Sequence, residues 1–187
     1  DADAWNREFG VAKDVSGLAA ERNVFRYRPV PVTVRYESGT SGHGVAELLR
    51  VVGAGLRAWE SAADGDGARA GSAITLSTAE RLPANVEEFL RAAGVIVAEE
   101  DGEAWAARVR RLAARKGPDA GARIRLIGGD LAATAEAAGG KPDVAIYANP
   151  VVSAGRVELL PFLREQAISI TAHRFGNPDK EMLGLRL

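Results

Sequence analysis

The sequence contains no cysteine and only two histidines among its 187 residues. Without cysteine, disulfide bonds, thiolate metal sites and reactions of a cysteine nucleophile are excluded. Two histidines alone also make a zinc site a poor expectation. No apolar run reaches the roughly 18 residues that a membrane-spanning helix needs, and the first residues, DADAWNREFG, lack the basic and apolar regions of a signal peptide. We therefore expect a soluble, cytoplasmic protein.

Neither sign of charge is in excess. The 24 basic side chains are balanced by 25 acidic ones, which leaves a net charge of -1. This balance argues against binding to nucleic acid or to an anionic membrane. The hydrophobic fraction of 47% is typical of a folded protein, and the length suits one domain. We expect a single domain over residues 1–187 and no nucleic-acid partner.

Strand-like segments alternate with segments of helical periodicity. The strand-like segments are NVFRYRPVPVTVRYE, AITLS, VIVAE, ARIRLIG, DVAIYA and AISITA. Between the first two, apolar side chains recur at helical spacing, at Val45, Leu48, Leu49, Val52, Leu56 and Trp59. This alternation predicts an α/β fold of the Rossmann-like type, with a mostly parallel sheet and helices on both of its faces.

Prolines and polar residues suggest where elements begin and end. Pro29 and Pro31 cannot donate to a strand ladder and predict an edge or a bend between two strands. Ser153 is a candidate start for the last helix, which Pro161 should bend or split.

Two further boundaries follow from the same reasoning. Asn85 and Glu88 have the spacing of a capping box, which would open a helix that stops at Gly94. The small and polar segment ESAADGDGARAGS predicts an exposed loop.

The two histidines are the candidates for acid-base chemistry near neutral pH. His43 lies in the segment SGTSGHG, without an adjoining nucleophile pattern, and we expect it to be solvated. His173 follows the last predicted strand, and ligands of open sheets bind beyond strand ends. Catalysis by His173, as in an independent hydrolase, would also need a serine or carboxylate beside its ring.

Glycine patterns offer one candidate for phosphate binding. Gly128 and Gly129 lie where a predicted strand meets a helix, so they form either a phosphate-holding turn or a tight turn. The string GDGARA, Gly65 to Ala70, lies before a strand and does not fit a dinucleotide site. DGDG, Asp64 to Gly67, lacks the later ligands of a calcium loop.

The segments NVFRYRPVPVTV and LREQAISITAHRFGNP, with the order of elements between them, resemble the C-terminal domain of bifunctional proline utilization A proteins. The resemblance extends over nearly the whole chain from about Trp5. It implies an aldehyde dehydrogenase superfamily fold, and a domain excised from a larger protein. That parent would join proline dehydrogenase and L-glutamate gamma-semialdehyde dehydrogenase modules, which carry FAD and NAD.

The resemblance also allows a comparison with the chemistry of aldehyde dehydrogenases. Their nucleophilic cysteine is absent, and their oxyanion-stabilising loop and general-base stretch have no counterpart. At the place of their ribose-binding Lys-Pro-Ala/Ser-Glu, this chain has Ser77 and Thr78, followed by Ala79 and Glu80. Their turn beside the cofactor phosphates corresponds to residues 126–129, where only a glycine is kept. We therefore expect no catalytic, cofactor-binding or metal-binding residues in this chain.

The function that the resemblance implies is noncatalytic. The domain would pack on the catalytic modules of its parent and help to enclose the intermediate, pyrroline-5-carboxylate, and it could also self-associate. We expect a docking edge along the last strand, where Ala167, Ser169 and Thr171 form a small face opposite Ile168 and Ile170. Cationic and aromatic side chains adjoin this edge, at Arg164, His173, Arg174 and Phe175. A residual nucleotide- or small-molecule-binding module, which would use Gly128, Gly129 and Glu80, is the alternative.

Overall fold

The structure, a computed structural model, describes residues 1–38, 44–66, 72–117 and 121–171, and residues 173, 174, 177, 178, 181 and 184. Its helices are α1 (Ala2–Ala4), which continues as a π-helical segment (Trp5–Phe9), α2 (Val45–Asp66), α3 (Ala84–Ala92), α4 (Gly102–Ala113), α5 (Leu131–Ala137) and α6 (Gly155–Glu158), with a 3-10 turn (Leu160–Phe162). Its strands are β1 (Lys13–Asp14), β2 (Glu21–Pro29), β3 (Val32–Tyr36), β4 (Ile74–Thr78), β5 (Ile96–Glu99), β6 (Ala122–Ile127), β7 (Val144–Tyr147), β8 (Leu163–Thr171), β9 (His173–Arg174) and β10 (Asn177–Pro178).

Five strands form a parallel sheet in the order β5-β4-β3-β6-β7. The chain extends from β3 through β4 to one edge at β5, and then continues on the other side of β3 with β6 and β7. β3 and β6 are therefore neighbours at the centre, although α2, β4, α3, β5 and α4 separate them in sequence. This is the strand order of a doubly wound nucleotide-binding fold, and the predicted Rossmann-like fold is confirmed.

Helices cover both faces of this sheet. On one face, Leu48 of α2 and Leu90 of α3 share a core with Val34 of β3. On the other face, Trp105 of α4 packs with Ile124 of β6 in a second core. Burial on both faces explains why the strands contain so many β-branched and apolar residues.

A helix that could span a membrane would need to be both long and apolar, and none of the helices in the described ranges meets both conditions.

A separate antiparallel sheet, here called the arm, contains β1, β2 and β8 in that order. β2 and β8 pair along their whole length, from Glu21 opposite Thr171 to Pro29 opposite Leu163. Pro29 ends β2 and Pro31 lies in the bend before β3, so the predicted break between two strands is confirmed.

The segment AISITA was expected to belong to the mostly parallel sheet, and that expectation is wrong, because β8 lies in the arm. Along β8, half-buried side chains alternate with exposed ones from Gln166 to Thr171. Such alternation is typical of an antiparallel strand with one solvated face, whereas strands of a covered parallel sheet are buried on both sides.

Two predicted boundaries also differ from the structure. α2 continues to Asp66, so the loop prediction is wrong for residues 60–66, where alanines favour the helix. Residues 67–71 of that predicted loop lie outside the described residues, and Ser72 lies outside helices and strands. α3 begins at Ala84 and has no side-chain cap, because Pro83 occupies the N-cap position; the predicted capping box of Asn85 is wrong.

The last helix is short and divided. α6 begins at Gly155 instead of at Ser153, and its N-cap position is Ala154. The 3-10 turn that contains Pro161 follows it directly, so the predicted split at this proline is confirmed.

A buried ion pair attaches α6 to the parallel sheet. Arg125 of β6 and Glu158 of α6 are 0% and 1% exposed, and their closest nitrogen and oxygen are 3.0 Å apart. Arg125 also donates to the carbonyl oxygen of Asn149 at 2.7 Å, and the backbone N–H of Val152 donates to Glu158 at 3.1 Å. The pair thereby also fixes the loop that follows β7.

Candidate functional site

The carboxyl ends of β3 and β6 mark the place where a ligand is expected. In open α/β sheets, ligands bind in the crevice outside the point where the strand order reverses, which here lies between these two strands. β3 ends at Tyr36 and is followed by Glu37, while β6 ends at Ile127 and is followed by Gly128 and Gly129. The predicted glycine turn therefore lies at this position, which we call the switch-point crevice.

Glu37 fills the switch-point crevice. Its backbone N–H donates to the carbonyl oxygen of Ile127 at 2.9 Å. Gly128 and Gly129 have φ angles of 71° and 77°, and a Cβ at Gly128 would lie 2.1 Å from the carbonyl oxygen of Glu37. Both conformation and close approach require glycine here, which favours the tight-turn interpretation over the phosphate-holding one.

Carboxylates lie where a phosphate would need donors. A Cβ at Gly129 would be 3.3 Å from the carboxyl carbon of Glu37. Asp130 caps α5 by accepting from the N–H of Ala133 at 3.0 Å, and α5 is only seven residues long. A phosphate at this turn would meet two like charges and a helix terminus that already has an acceptor.

The buried side chain of Arg35 connects the loops around the crevice through hydrogen bonds. Its side chain is 1% exposed, and its Nε donates to Oε1 of Glu37 at 2.8 Å. Its Nη1 donates to Oγ of Ser77 and to the carbonyl oxygen of Glu100, both at 2.8 Å. The guanidinium carbon lies 5.3 Å from the ring centroid of Trp105, at the distance of a cation-π contact. One buried cation thus connects the ends of β3, β4 and β5.

Glu100 and Arg108 form the second ion pair of this edge. Arg108 donates to Glu100 from Nη2 and from Nε, both at 2.7 Å, and their side chains are 24% and 12% exposed, respectively. Burial by itself would raise the pKa of Glu100, but hydrogen bonds from Arg108 and Ser77 outweigh it and hold this pKa below its usual value. The same pairing raises the pKa of Arg108. Glu100 therefore remains a carboxylate bound to its partners, unlike a general acid held near neutral pH.

Glu80 connects the ends of β4 and β3. The backbone N–H of Ser38 donates to Glu80 at 2.8 Å, and the Ser38 hydroxyl donates to the other carboxylate oxygen. The Thr78 hydroxyl donates to the backbone carbonyl of Glu80 at 2.6 Å, and the N–H of Ala79 donates to the carbonyl oxygen of Tyr36 at 3.0 Å. Thr78, Ala79 and Glu80, which the sequence comparison placed at a ribose-binding segment, are thus engaged in contacts within the chain.

The predicted glycine turn and the segment 77–80 therefore lie on one edge of the sheet, whereas His173 does not join them. His43 lies outside the described residues. His173 belongs to β9, whose backbone pairs with β10, and β8 before it belongs to the arm. The expectation that His173 follows a strand of the parallel sheet is wrong. In the described part of the chain, no group of three metal-ligating side chains is assembled.

Arg35 and Arg125 were not identified from the sequence as important residues. The signal that would have found them is an arginine between apolar neighbours in a strand, as in VTVRYE and ARIRLIG. In a sheet covered on both faces, such an arginine is buried and must have partners.

The arm presents two different faces. On one face, the ring of Tyr27 makes edge contacts with Phe9 and Phe25, at centroid distances of 4.9 and 5.2 Å. Ala167 lies opposite Phe25 on this face and is exposed. The expected small face of Ala167, Ser169 and Thr171 is exposed in the structure, while Ile168 and Ile170 are half-buried. β8 is an edge strand of the arm within the described residues.

The other face of the arm is cationic. Cross-strand pairing places four arginines on it, namely Arg22, Arg26, Arg28 and Arg164. Arg26 of β2 donates to Gln166, its cross-strand neighbour on β8, at 2.8 Å. Arg164, which was predicted to adjoin the docking edge, is exposed, whereas Phe175 lies outside the described residues.

No protein-family model matches the sequence. No curated protein matches it either. Among solved structures, the chain is similar to part of Proline Utilization A (PutA) from Corynebacterium freiburgense, with 27% identity and a TM-score of 0.52. The similarity covers 94% of this chain and 13% of that chain. This chain is thus similar to a part of PutA, and it spans a small share of that protein's length.

Proposed function

We propose that the chain is a noncatalytic interaction domain of a larger, cytoplasmic proline-catabolic oxidoreductase that oxidises proline to glutamate through pyrroline-5-carboxylate. The similarity to PutA over 94% of the chain is the observation that carries this proposal. The switch-point crevice supports it, because Glu37 and Asp130 stand where a nucleotide phosphate would bind. A domain that keeps a Rossmann-like fold without a usable cofactor site fits a structural role.

The arm is the surface that we assign to docking. Its small exposed face, at Ala167, Ser169 and Thr171, lets another element approach the backbone of β8 closely. Among the described strands, β8 lies at an edge of the arm and can accept a further strand, which is a common way for one protein segment to join another. Through this contact the domain would pack on the catalytic modules of its parent and help to cover the path of the intermediate between them.

A bulky residue on the small face tests this assignment. Arginine at position 167 (Ala167→Arg) should block close approach to β8 and leave the fold intact, because the Ala167 side chain is exposed. The matched control is Ala132→Arg, on the exposed side of α5. Both changes would be made in the full-length parent, and NADH formation from proline would be followed from the first seconds.

We expect Ala167→Arg to lengthen the lag before steady NADH formation, because intermediate that escapes must first accumulate in solution. Ala132→Arg should keep the lag of the unchanged parent. Equal lags in all three proteins, with each module still active on its own substrate, would contradict the docking role of the arm.

A residual nucleotide-binding module is the competing function. It would need a free phosphate site at Gly128 and Gly129, together with an available Glu80. Glu37 contacts the glycine turn, and Glu80 already accepts from Ser38. These contacts favour the interaction domain.

A further inference from the structure

A cavity of about 780 Å³ opens at the amino-terminal edge of the parallel sheet. It lies between Thr33 of β3, Ala122 of β6 and Ala145 of β7, beside Leu112 at the end of α4. Its volume is within the range of roughly 300–1,000 Å³ that is usual for small-molecule sites. The cavity is at the opposite end of the strands from the switch-point crevice, so the contacts that fill the crevice do not affect it.

The charged groups around this cavity are mainly cationic. Three arginines line it, Arg115, Arg123 and Arg164, and Asp143 is the acidic residue among the described residues of the lining. Nη1 of Arg123 donates to the carbonyl oxygens of Leu160 at 3.1 Å and Pro161 at 3.2 Å, and these bonds fix the direction of its guanidinium.

Arg115 and Arg164 can both offer guanidinium donors to a ligand in this cavity. Both side chains are exposed, and neither has a hydrogen bond or an ion pair to another part of the chain that the structure describes. They belong to different elements, since Arg164 is on the arm and Arg115 follows α4. Because both line one cavity, a ligand with two separated anionic groups could engage both of them.

The remaining lining is apolar or weakly polar. Val30, Pro31 and Leu112 supply apolar surface, and Thr33 and Thr75 supply hydroxyl-bearing side chains. Apolar walls with a few polar groups are typical of sites for organic molecules. A bare inorganic anion would leave these walls without contacts.

We propose that this cavity binds an organic dicarboxylate with an apolar body. Each carboxylate would accept from a guanidinium, a pairing whose planar geometry suits arginine better than lysine. The apolar body would lie on Val30, Pro31 and Leu112. This site uses no residue of the switch-point crevice and none of the small face of Ala167, Ser169 and Thr171, and it shares Arg164 with the arm.

Isothermal titration calorimetry of the 187-residue chain tests the proposal, with suberate, an eight-carbon dicarboxylate, as the probe. The variants are Arg115→Ala and Arg164→Ala, whose exposed side chains can be removed without disturbing the core. The matched control is Arg110→Ala, which removes an exposed cation from α4 outside the cavity lining. Inorganic phosphate serves as the anion without an apolar body.

We expect saturable binding of suberate at one site, weakened about tenfold or more in each cavity variant, since each loses a charge-assisted hydrogen bond. Arg110→Ala should keep the affinity of the unchanged chain, and phosphate should bind much more weakly than suberate. The proposal is overturned by absence of saturable heat with suberate, by equal weakening in Arg110→Ala, or by phosphate binding as tightly as suberate.

Discussion

At Glu100, burial and pairing act on one carboxylate in opposite directions. Burial disfavours the charged form, but Arg108 binds this carboxylate through two nitrogens. The positive charge of Arg35, whose Nη1 donates to the backbone carbonyl of Glu100, favours the charged form further. The outcome is a pKa below the usual value near 4.5, so the folded state favours the ionised form more than the unfolded chain does.

This difference predicts how stability depends on pH. A carboxyl group with a depressed pKa in the folded state contributes stability that is present above its unfolded-state value and lost as pH falls through the folded-state value. Glu100→Gln should therefore lower the free energy of unfolding at neutral pH, and its deficit should shrink as pH falls below about 4.5.

Urea unfolding of the unchanged chain and the variant, repeated from neutral to acidic pH, measures this deficit. Glu136→Gln, which removes an exposed carboxylate from α5, is the control and should show little deficit at any pH. If the free energy of unfolding that Glu100→Gln loses stayed constant down to acidic pH, the charge of Glu100 would not be the cause of the loss.

Helix α2 shows how one element can contain two glycines with different roles. Gly55 faces the core, where an added Cβ would lie 2.5 Å from Phe162 and 2.7 Å from Ile74. Gly53, two positions earlier, is exposed, and a Cβ there would meet nothing within 4 Å. The close packing of α2 on β4 and on the 3-10 turn therefore depends on Gly55 and not on Gly53.

Alanine at each position should separate the two roles. Gly53→Ala should stabilise the protein by roughly 0.5–1 kcal/mol, because alanine favours the helix without any new contact. Gly55→Ala should destabilise it by about 1–3 kcal/mol, because Phe162 and Ile74 must move to admit a methyl group. Thermal and urea unfolding of the two variants give both values, and a stabilised Gly55→Ala would contradict the close packing.

Several elements that depend on local pattern were predictable from the sequence, although the loop over residues 60–66 and the capping box of Asn85 were predicted wrongly. Features that depend on distant partners were not predictable. The strand ARIRLIG and the turn at Gly128 followed from apolar composition and from glycines at a strand-to-helix junction. The arm was not predictable, because the pairing of its strands joins residues such as Arg26 and Gln166, which are 140 positions apart. The role of Glu37 was equally hidden, since it exists only once the sheet order has placed β3 beside β6.

For the molecule as a whole, the switch-point crevice favours the proposed interaction domain over a nucleotide-binding domain. The strand order is that of nucleotide-binding proteins, yet the crevice holds the backbone and carboxylate of Glu37. Asp130 adds a second carboxylate at the start of α5. A dinucleotide could bind only if Glu37 moved away from Gly128 and lost the hydrogen bond that Arg35 donates to it. Its phosphates would also be repelled by the carboxylates of Glu37 and Asp130.

We therefore predict that neither NAD nor ADP gives saturable heat when titrated into the 187-residue chain. An NAD-dependent dehydrogenase in the same buffer is the positive control, and it must give saturable heat at the same nucleotide concentrations. Glu37→Gln removes the charge and keeps the backbone contact with Gly128, so it should also remain without saturable binding. One-site binding of NAD to the unchanged chain, reduced by competing ADP, would show that the crevice opens and that the domain binds nucleotide.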